Sequence, residues 1–199
     1  MTTNKSIMGI VGVTAALLPI SAFAHPGHGA AGLEQGFIHP FSGLDHTLTM
    51  IMVGVFAYQL GGRALWLVPC AFVSMMAFGG ALGMTGLDLP FVEIAIALSV
   101  MAIGTIVAFG LKTSVAAAMG IVGLFAIFHG HAHGAEMPSA AGGLAYAAGF
   151  VVATAILHVA GIGIGLLLCR TTARYSPIIV RSTGALTAVT GAVLLGAVA

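Results

Sequence analysis

Two short stretches of this 199-residue sequence concentrate histidines and carboxylates. The first, HPFSGLDH, covers residues 39–46 and contains His39, Asp45 and His46. The second, FHGHAHGAE, covers residues 128–136 and supplies four more such side chains: His129, His131, His133 and Glu136. Imidazole nitrogens and carboxylate oxygens suit borderline divalent ions such as nickel, cobalt and zinc. The two stretches therefore predict a site that binds a transition metal or transfers protons.

The spacing within each stretch places its histidines on one face of a helix. His39 and His46 are seven residues apart, about two helical turns, so they share a face if a helix begins near Pro40. Proline suits the first position of a helix. In the second stretch, His129 and His133 are four residues apart, which again is one face. Side chains on one face of each helix can converge on a common ion.

Three residues outside the two stretches are further candidates. Glu93 lies near the start of an apolar segment, and an acid there should face the interior of a helix bundle, so we predict that it lines an ion path. His158 lies on a glycine-rich segment, HVAGIGIG, and is either a deeper step of such a path or a hydrogen-bonded helix contact. His25 would chelate a metal through an exposed α-amine and its imidazole, unless it belongs to a flexible tail.

The composition shows which elements must position these residues. The chain is 59% hydrophobic and only 6% charged, with a mean hydropathy of +1.13. Ordinary soluble domains carry about 25% charged residues, so the surface of this protein must face lipid. The net charge of +1 gives no basic surface for nucleic acid, and no phosphate-binding GxxxxGK[ST] loop for a nucleotide is present.

The sulfur-containing residues do not suggest a thiolate site. Cys70 and Cys169 lie far apart in apolar segments, form no CxxC motif and are distant in sequence from both histidine stretches. This argues against a cysteine-rich zinc or Cu(I) site. The ten methionines are better explained as ordinary packing in apolar helices than as Cu(I) ligands.

The N-terminal residues have the pattern of a secretory signal. Lys5 precedes an apolar run that ends in Ala22-Phe23-Ala24, which fits the small-x-small cleavage rule. Cleavage there would make His25 the first residue, whereas an uncleaved first membrane helix is the alternative. The chain is thus expected to consist of a signal peptide, a periplasmic N-terminal segment and a transmembrane domain at residues 1–24, 25–38 and 39–199.

Six apolar segments follow, each near the roughly 20 residues that a bilayer requires. They cover residues 42–60, 64–84, 89–110, 113–130, 141–168 and 177–198. Within lipid every backbone polar group must be bonded internally, so these segments are expected to be α-helices. The predicted fold class is therefore an all-α membrane protein with six transmembrane helices after a cleaved signal peptide.

The charged residues predict how these helices are oriented. The loops of one side carry the basic residues Arg63, Lys112, Arg170, Arg174 and Arg181. The loops of the other side carry Glu34, Asp88 and Glu136. Because basic loops remain in the cytoplasm, both termini and both histidine stretches should be periplasmic, on a protein of the bacterial inner membrane. Among the eight histidines, His158 alone is expected to lie deep in the membrane.

The two stretches also resemble the motifs of a known family. His39 followed by Asp45-His46, and Phe128-His129-Gly130 followed by His133-Gly134 and Glu136, look like the signature of the HupE/UreJ family, the hydrogenase/urease accessory nickel permeases. The resemblance covers essentially the whole chain. It implies nickel uptake across the inner membrane, with cobalt as the neighbouring substrate, for the maturation of nickel enzymes such as hydrogenase or urease.

The same resemblance implies metal-handling roles for six residues: His39, Asp45, His46, His129, His133 and Glu136. His131 falls where the family pattern varies, so its role stays open. The cargo is then Ni²⁺ or Co²⁺ as a transported substrate rather than a prosthetic group, and the partners are the metal ion and the lipid bilayer. The oligomeric state does not follow from the sequence.

The function predicted from these observations is that of a secondary permease and not of an enzyme. A divalent cation that moves inward through 100 mV gains roughly 4.6 kcal/mol, so the membrane potential can drive uptake, and proton coupling is also open. Three alternatives are a membrane-embedded di-metal enzyme of the histidine-cluster type, a haem-binding electron carrier that uses His46 and His158, and a periplasm-facing metal sensor or storage protein.

Overall fold

The computed structural model describes residues 30–137, 142–171 and 176–199, and these form seven α-helices and no strand. The helices are α1 (Ala30–Ser42), α2 (Leu44–Leu60), α3 (Ala64–Met84), α4 (Val92–Phe109), α5 (Val115–Ala135), α6 (Gly143–Thr171) and α7 (Ser176–Val198). The all-α fold class is thereby confirmed. The predicted signal peptide, His25 and Arg174 lie outside the described residues.

Five of these helices, α3 to α7, are long and apolar enough to cross a membrane. The protein is therefore a multi-pass membrane protein. The remaining predicted segment, 42–60, corresponds to α2, which has only 17 residues. The six-span topology and the periplasmic position of the termini stay predictions.

The N-terminal end of the bundle differs from the sequence-based expectation. Residues 30–42 form a separate helix, α1, and Pro40 lies near its end rather than at the start of the next helix. Gly43 is extended (φ −102°, ψ 127°) and separates α1 from α2. The expectation that a helix begins near Pro40 is wrong, because a proline can also occupy the last turns of a helix that ends shortly after it. His39 and His46 consequently lie on two helices.

Helices α1 and α2 both pack along α6. A Cβ added at Gly36 would overlap the backbone of Tyr146, and one added at Gly54 would overlap the backbone of His158. Two short helices, α1 with 13 residues and α2 with 17, thus pack along the single long helix α6, which has 29 residues. This close packing stabilises α1, whose 13 residues are too few to give a membrane-span signal.

Helix α5 packs against α3 through glycines. A Cβ at Gly130 would overlap the backbone of Met76, and one at Gly134 would overlap the backbone of Gly80. Such close approach is typical of helix pairs in membranes, where small residues let backbones touch. The predicted segment 113–130 ended too early, since α5 continues to Ala135 and carries His131 and His133 on a regular helix. Glycines that are packed in this way do not end the helix.

The described helices separate the charges into two ends of the bundle. One end, where α2, α4 and α6 finish, carries Arg63, Lys112, Arg170 and Arg181. The opposite end carries the acids Glu34, Asp45, Asp88, Glu93 and Glu136. Between them lies a core of buried apolar side chains, the largest of which are Phe56, Phe72, Phe150, Met50 and Met76. The acidic end is the end that holds the histidine stretches.

Candidate metal-binding site

Four histidines from α1, α2 and α5 meet at the acidic end of the bundle, and we call them the histidine cluster: His39, His46, His129 and His133. The ring centroid of His46 lies 4.8 Å from that of His129 and 4.6 Å from that of His133. The ring of His39 lies 4.8 Å from that of His133 on the other side. The structure therefore brings the two sequence stretches together; metal binding by them stays a prediction.

Each of the two outer histidines has a carboxylate partner. The Nε2 atom of His39 lies 3.1 Å from Oε2 of Glu136. The Nδ1 atom of His46 lies 2.9 Å from Oδ1 of Asp45, which also accepts a hydrogen bond from the backbone N–H of His46. A carboxylate that holds one ring nitrogen orients the imidazole and makes its other nitrogen a better metal ligand. In His46 that other nitrogen, Nε2, is buried and has no hydrogen-bond partner among the described residues.

Two hydroxyl groups orient His129. Ser99 Oγ donates to the carbonyl oxygen of Ile96 at 2.6 Å, so its lone pairs are free to accept from His129 Nε2 at 2.8 Å and from Thr49 Oγ1 at 3.2 Å. An imidazole that donates through Nε2 presents a lone pair at Nδ1. Sequence reasoning missed Ser99 and Thr49. The available signal was a polar residue on each of two apolar helices, Thr49 being three residues after His46.

The centre of the cluster is buried and has nitrogen atoms without hydrogen-bond partners among the described residues. His129 and His133 are fully buried. Neither ring nitrogen of His133 has a hydrogen-bond partner in the described parts of the chain, and the same holds for Nδ1 of His129. Leaving a buried polar atom unpaired costs about 1–3 kcal/mol. A bound cation or proton would remove that cost, so the unpaired nitrogens are compatible with the predicted binding site.

Aromatic rings form the wall of the cluster on the side of α6. The ring of Phe150 stacks on that of His133 at 5.2 Å and an interplanar angle of 15°. The ring of Tyr146 lies 6.0 Å from that of His39, and its buried hydroxyl has no partner among the residues described. These two aromatic residues were not among the predicted site residues. They limit the access of water and the orientations available to His133.

The cluster does not form a closed coordination shell. Within residues 30–137, 142–171 and 176–199, no group of three or more His, Cys, Asp or Glu side chains is already arranged to hold a metal ion. The rings of His46 and His129 meet edge to face at 86°, whereas metal–imidazole bonds of about 2.0–2.1 Å require the nitrogens to face one centre. Ring rotations would have to accompany binding.

Comparison with known proteins agrees with this geometry. The family model described as "HupE / UreJ protein" matches residues 13–194. This chain belongs to the HupE/UreJ family. It is 48% identical over 183 residues to Protein HupE of Rhizobium leguminosarum bv. viciae, an alignment that covers 92% of this chain and 94% of that protein. No solved structure matches the chain. The resemblance seen in the two histidine stretches is thereby confirmed at the level of the family.

The other predicted residues of this HupE/UreJ chain lie outside the cluster. The Nε2 atom of His131 lies 2.6 Å from the carbonyl oxygen of Leu87, between α3 and α4, so this histidine fastens α5 to that loop. Glu93 is exposed in the first turn of α4. The expectation that Glu93 faces the bundle interior is wrong, because an acid at the end of a membrane helix can reach the polar boundary and need not be buried.

His158 lies deeper, on the far side of an aromatic ring. It is 1% exposed, and neither of its ring nitrogens has a hydrogen-bond partner among the described residues, so the structure does not show the hydrogen-bonded helix contact. The fully buried ring of Phe72 lies 5.8 Å from that of His129 and 5.1 Å from that of His158. Phe72, which sequence reasoning did not identify, therefore separates the histidine cluster from His158.

Proposed function

We propose that this protein is a secondary permease that moves a divalent transition-metal ion, Ni²⁺ with Co²⁺ as the neighbouring substrate, from the periplasm to the cytoplasm. The observation that carries this proposal is the buried histidine cluster, in which the ring centroid of His46 on α2 lies 4.6–4.8 Å from those of His129 and His133 on α5 and buried ring nitrogens have no hydrogen-bond partners among the described residues. Membership of the HupE/UreJ family supports the same function. Within that family the delivered metal would serve the maturation of hydrogenase or urease.

The exposed fraction of the side chains decreases from Glu136 through His39 to His133, which is the proposed direction of uptake. The side chain of Glu136 is 57% exposed and that of its partner His39 is 28% exposed, whereas His133 is fully buried. A hydrated cation would first meet the carboxylate, which attracts it and partly neutralises it. It would then exchange water for imidazole nitrogens at His39, His133 and His46. Gradual exchange of this kind lowers the cost of dehydrating a dication.

The incomplete coordination shell suits a transported ion. A permease must bind its substrate strongly enough to admit it and weakly enough to release it. The edge-to-face rings of the cluster would supply nitrogens one after another rather than as a rigid cage. Beyond the cluster, His158 offers the next unpaired nitrogens once the ring of Phe72 moves aside. The membrane potential contributes roughly 4.6 kcal/mol per dication at 100 mV, which drives the ion inward.

The geometry is less suited to two of the alternative functions. A haem between His46 and His158 would need open space between them, but His46 packs against His129 and His133, and Phe72 packs against His158. A di-metal enzyme needs further ligand groups around a second ion. Apart from the histidine cluster, the histidines among the described residues are His131, which bonds to Leu87, and the separate His158. A metal sensor or storage protein would use the same cluster and differs by retaining its ion.

Metal accumulation by intact cells tests the proposal. Cells that express the wild-type chain should accumulate Ni²⁺ from a submicromolar solution, and His133→Ala and His46→Ala should abolish this uptake at equal membrane expression. His131→Ala is the matched control, because His131 lies on the same helix and in the same stretch but bonds to Leu87 outside the cluster. Competition by cobalt, zinc and copper ions would identify the preferred substrate.

Two results would contradict the permease. One is the absence of uptake by a well-expressed wild-type chain. The other is a purified protein that keeps one tightly bound metal ion through gel filtration while the cells accumulate none, which would indicate a sensor or a metalloenzyme. A Soret band in the absorption spectrum of the purified protein would favour the haem carrier instead.

A further inference from the structure

A cavity with several polar lining residues lies at the end of the bundle opposite the histidine cluster. It has a volume of about 380 Å³ and is found where α2, α4 and α6 end and α7 begins. Its lining includes two cations and several polar groups: Lys112, Arg181, Tyr58, Gln59 and Ser176. We call it the basic cavity. The metal route described above uses none of these residues, and two cations make a poor exit for a dication.

The two cations of the basic cavity have no carboxylate to neutralise them. The chain contains five Asp and Glu residues, and all five lie at the opposite end of the bundle. The two ion pairs found among the described residues both belong to the histidine cluster and include neither Lys112 nor Arg181. Cations gathered in a cavity at a membrane boundary repel one another unless an anion joins them. Both side chains are exposed, so an anion from outside the protein can reach them and would find no competing carboxylate.

The guanidinium of Arg181 has a defined position beside the cavity. It lies over Gly110, where an added Cβ would be only 3.0 Å from Nη2 and 3.2 Å from Nε. Gly110 ends α4 in the left-handed conformation (φ 59°, ψ 40°), which glycine adopts without strain. A side chain at this position would push the guanidinium away. Arginine held in this way can bind two oxygens of one phosphate group.

Two further groups fit the headgroup of a lipid. Ser176 opens α7, and the first backbone N–H groups of a helix attract anions because they lack partners within the helix. Gln59 donates through Nε2 to the carbonyl oxygen of Val107 at 3.0 Å, while its Oε1 is buried and has no partner in the described chain. That oxygen can accept a hydrogen bond from a hydroxyl group. A glycerol headgroup offers such a hydroxyl more readily than free phosphate does at neutral pH.

The surface beside the cavity is apolar. Leu111, which is 50% exposed, belongs to the lining, and Phe109 on α4 (70% exposed) and Ile178 on α7 (63% exposed) are neighbours in sequence of lining residues. In a membrane such side chains contact acyl chains. A lipid with its phosphate in the basic cavity would place its chains over these residues.

We propose that the basic cavity binds the phosphate group of an anionic phospholipid with a hydroxyl-bearing headgroup, of the phosphatidylglycerol type. Lys112 and Arg181 hold the phosphate oxygens, Gln59 accepts from the headgroup hydroxyl, and α4 and α7 contact the acyl chains. Basic pockets between membrane helices are suited to such headgroups. This binding requires no metal and is independent of the proposed transport.

Lipid binding to the purified full-length protein in a neutral detergent tests the proposal. Native mass spectrometry would measure the retention of phosphatidylglycerol, with phosphatidylcholine of the same chain length as the reference lipid. Phosphatidylglycerol should bind the wild type about tenfold more tightly than phosphatidylcholine, and Lys112→Gln/Arg181→Gln should weaken it by roughly 25-fold. Arg63→Gln is the matched control, because Arg63 is an exposed cation at the same end but outside the cavity. It should bind as the wild type does.

A competition arm distinguishes the two sources of phosphate. If millimolar inorganic phosphate does not displace phosphatidylglycerol, the site recognises the lipid; displacement would identify free phosphate as the ligand and would overturn the lipid assignment. Equal binding by the double variant and the wild type would overturn the site altogether. If the double variant fails to fold, as judged by its melting curve, Lys112→Gln and Arg181→Gln are measured singly, and each should weaken binding by roughly fivefold.

Discussion

Replacing Gly130 with alanine tests whether the packing of α5 on α3 positions the histidine cluster. Gly130 lies between His129 and His133 on α5. A methyl group there would overlap the carbonyl oxygen of Met76, and it would lie 2.7 Å from that carbonyl carbon and 2.8 Å from the backbone N of Gly80. Ordinary contacts begin near 3.4 Å, so the carbonyl carbon alone requires about 0.7 Å of separation between the helices, and the closer carbonyl oxygen requires about 1.5 Å. The backbone of α3 cannot rotate away as a side chain would.

The expected change in the unfolding free energy of Gly130→Ala combines two opposing effects. Overpacking of this kind typically costs about 1–3 kcal/mol. Alanine in place of glycine within a helix gains up to about 1 kcal/mol. Gly120→Ala is the matched control, because Gly120 lies on the same helix with no atom within 4 Å of an added Cβ, and it should gain the second effect alone. The two variants should therefore differ in unfolding free energy by about 1–3 kcal/mol, which corresponds to a difference in Tm of about 2–12 °C.

Thermal unfolding followed by circular dichroism in detergent would measure this difference, and Ni²⁺ uptake by intact cells would measure its effect on the site. Gly130→Ala should melt below the wild type and accumulate less Ni²⁺, since His129 and His133 move with α5 away from His46. Gly120→Ala should match the wild type in uptake. If the two variants melted at the same temperature and transported equally, the packing of α3 on α5 would not set the position of the cluster.

Three further predictions concern single side chains. Ser99→Ala removes the acceptor of His129 Nε2 and should weaken Ni²⁺ binding, measured by calorimetry, by about 10–100-fold. The control Ser74→Ala changes an exposed serine and should leave the affinity unchanged. Equal affinities of the two variants would contradict the role of Ser99. Glu136→Gln should lower Ni²⁺ uptake at submicromolar concentration but not at saturation, since the carboxylate attracts the ion at the exposed end of the cluster; an unchanged concentration dependence would exclude this role. Phe72→Leu should raise the ratio of Zn²⁺ to Ni²⁺ accumulated by cells, because the ring between His129 and His158 is lost; an unchanged ratio would show that Phe72 is packing only.

Hydropathy predicted most of the fold because lipid imposes a simple rule. Each segment that crosses a bilayer needs about 20 apolar residues and must be helical, so α3, α4, α6 and α7 were found with ends a few residues from those observed. Helix α1 was not predicted. Its 13 residues are too few to give a membrane-span signal, and it is stabilised by contacts with α6 that involve Gly36 and Gly149, residues more than a hundred positions apart. A contact between residues so far apart in the chain cannot be recognised from a local sequence pattern.

The position of the candidate site in the bundle was predicted from the sequence, its metal chemistry stays a prediction, and its supporting residues were found only in the structure. Residue types and the separation of charges indicated which ligands were available and at which end of the bundle they lie. The supporting residues Ser99, Thr49, Phe72 and Tyr146 were not identified, because hydroxyl and aromatic side chains on membrane helices have no distinctive spacing. Glu93 was assigned to the interior on a general rule about membrane acids, but the structure leaves it exposed.

His131 and His133 show most directly what the sequence by itself determined and what only the tertiary structure decided. Both lie in one stretch of one helix, and from the sequence both are available imidazoles at its acidic end. Two residues correspond to about 200° around an α-helix, so the two side chains leave α5 in nearly opposite directions. Packing against α3 and α2 directs His133 towards His46 and His39, and directs His131 towards the carbonyl oxygen of Leu87. The sequence determined which imidazoles are available and at which end of the bundle they lie, whereas the rotation of α5 within the bundle decided which of them meet.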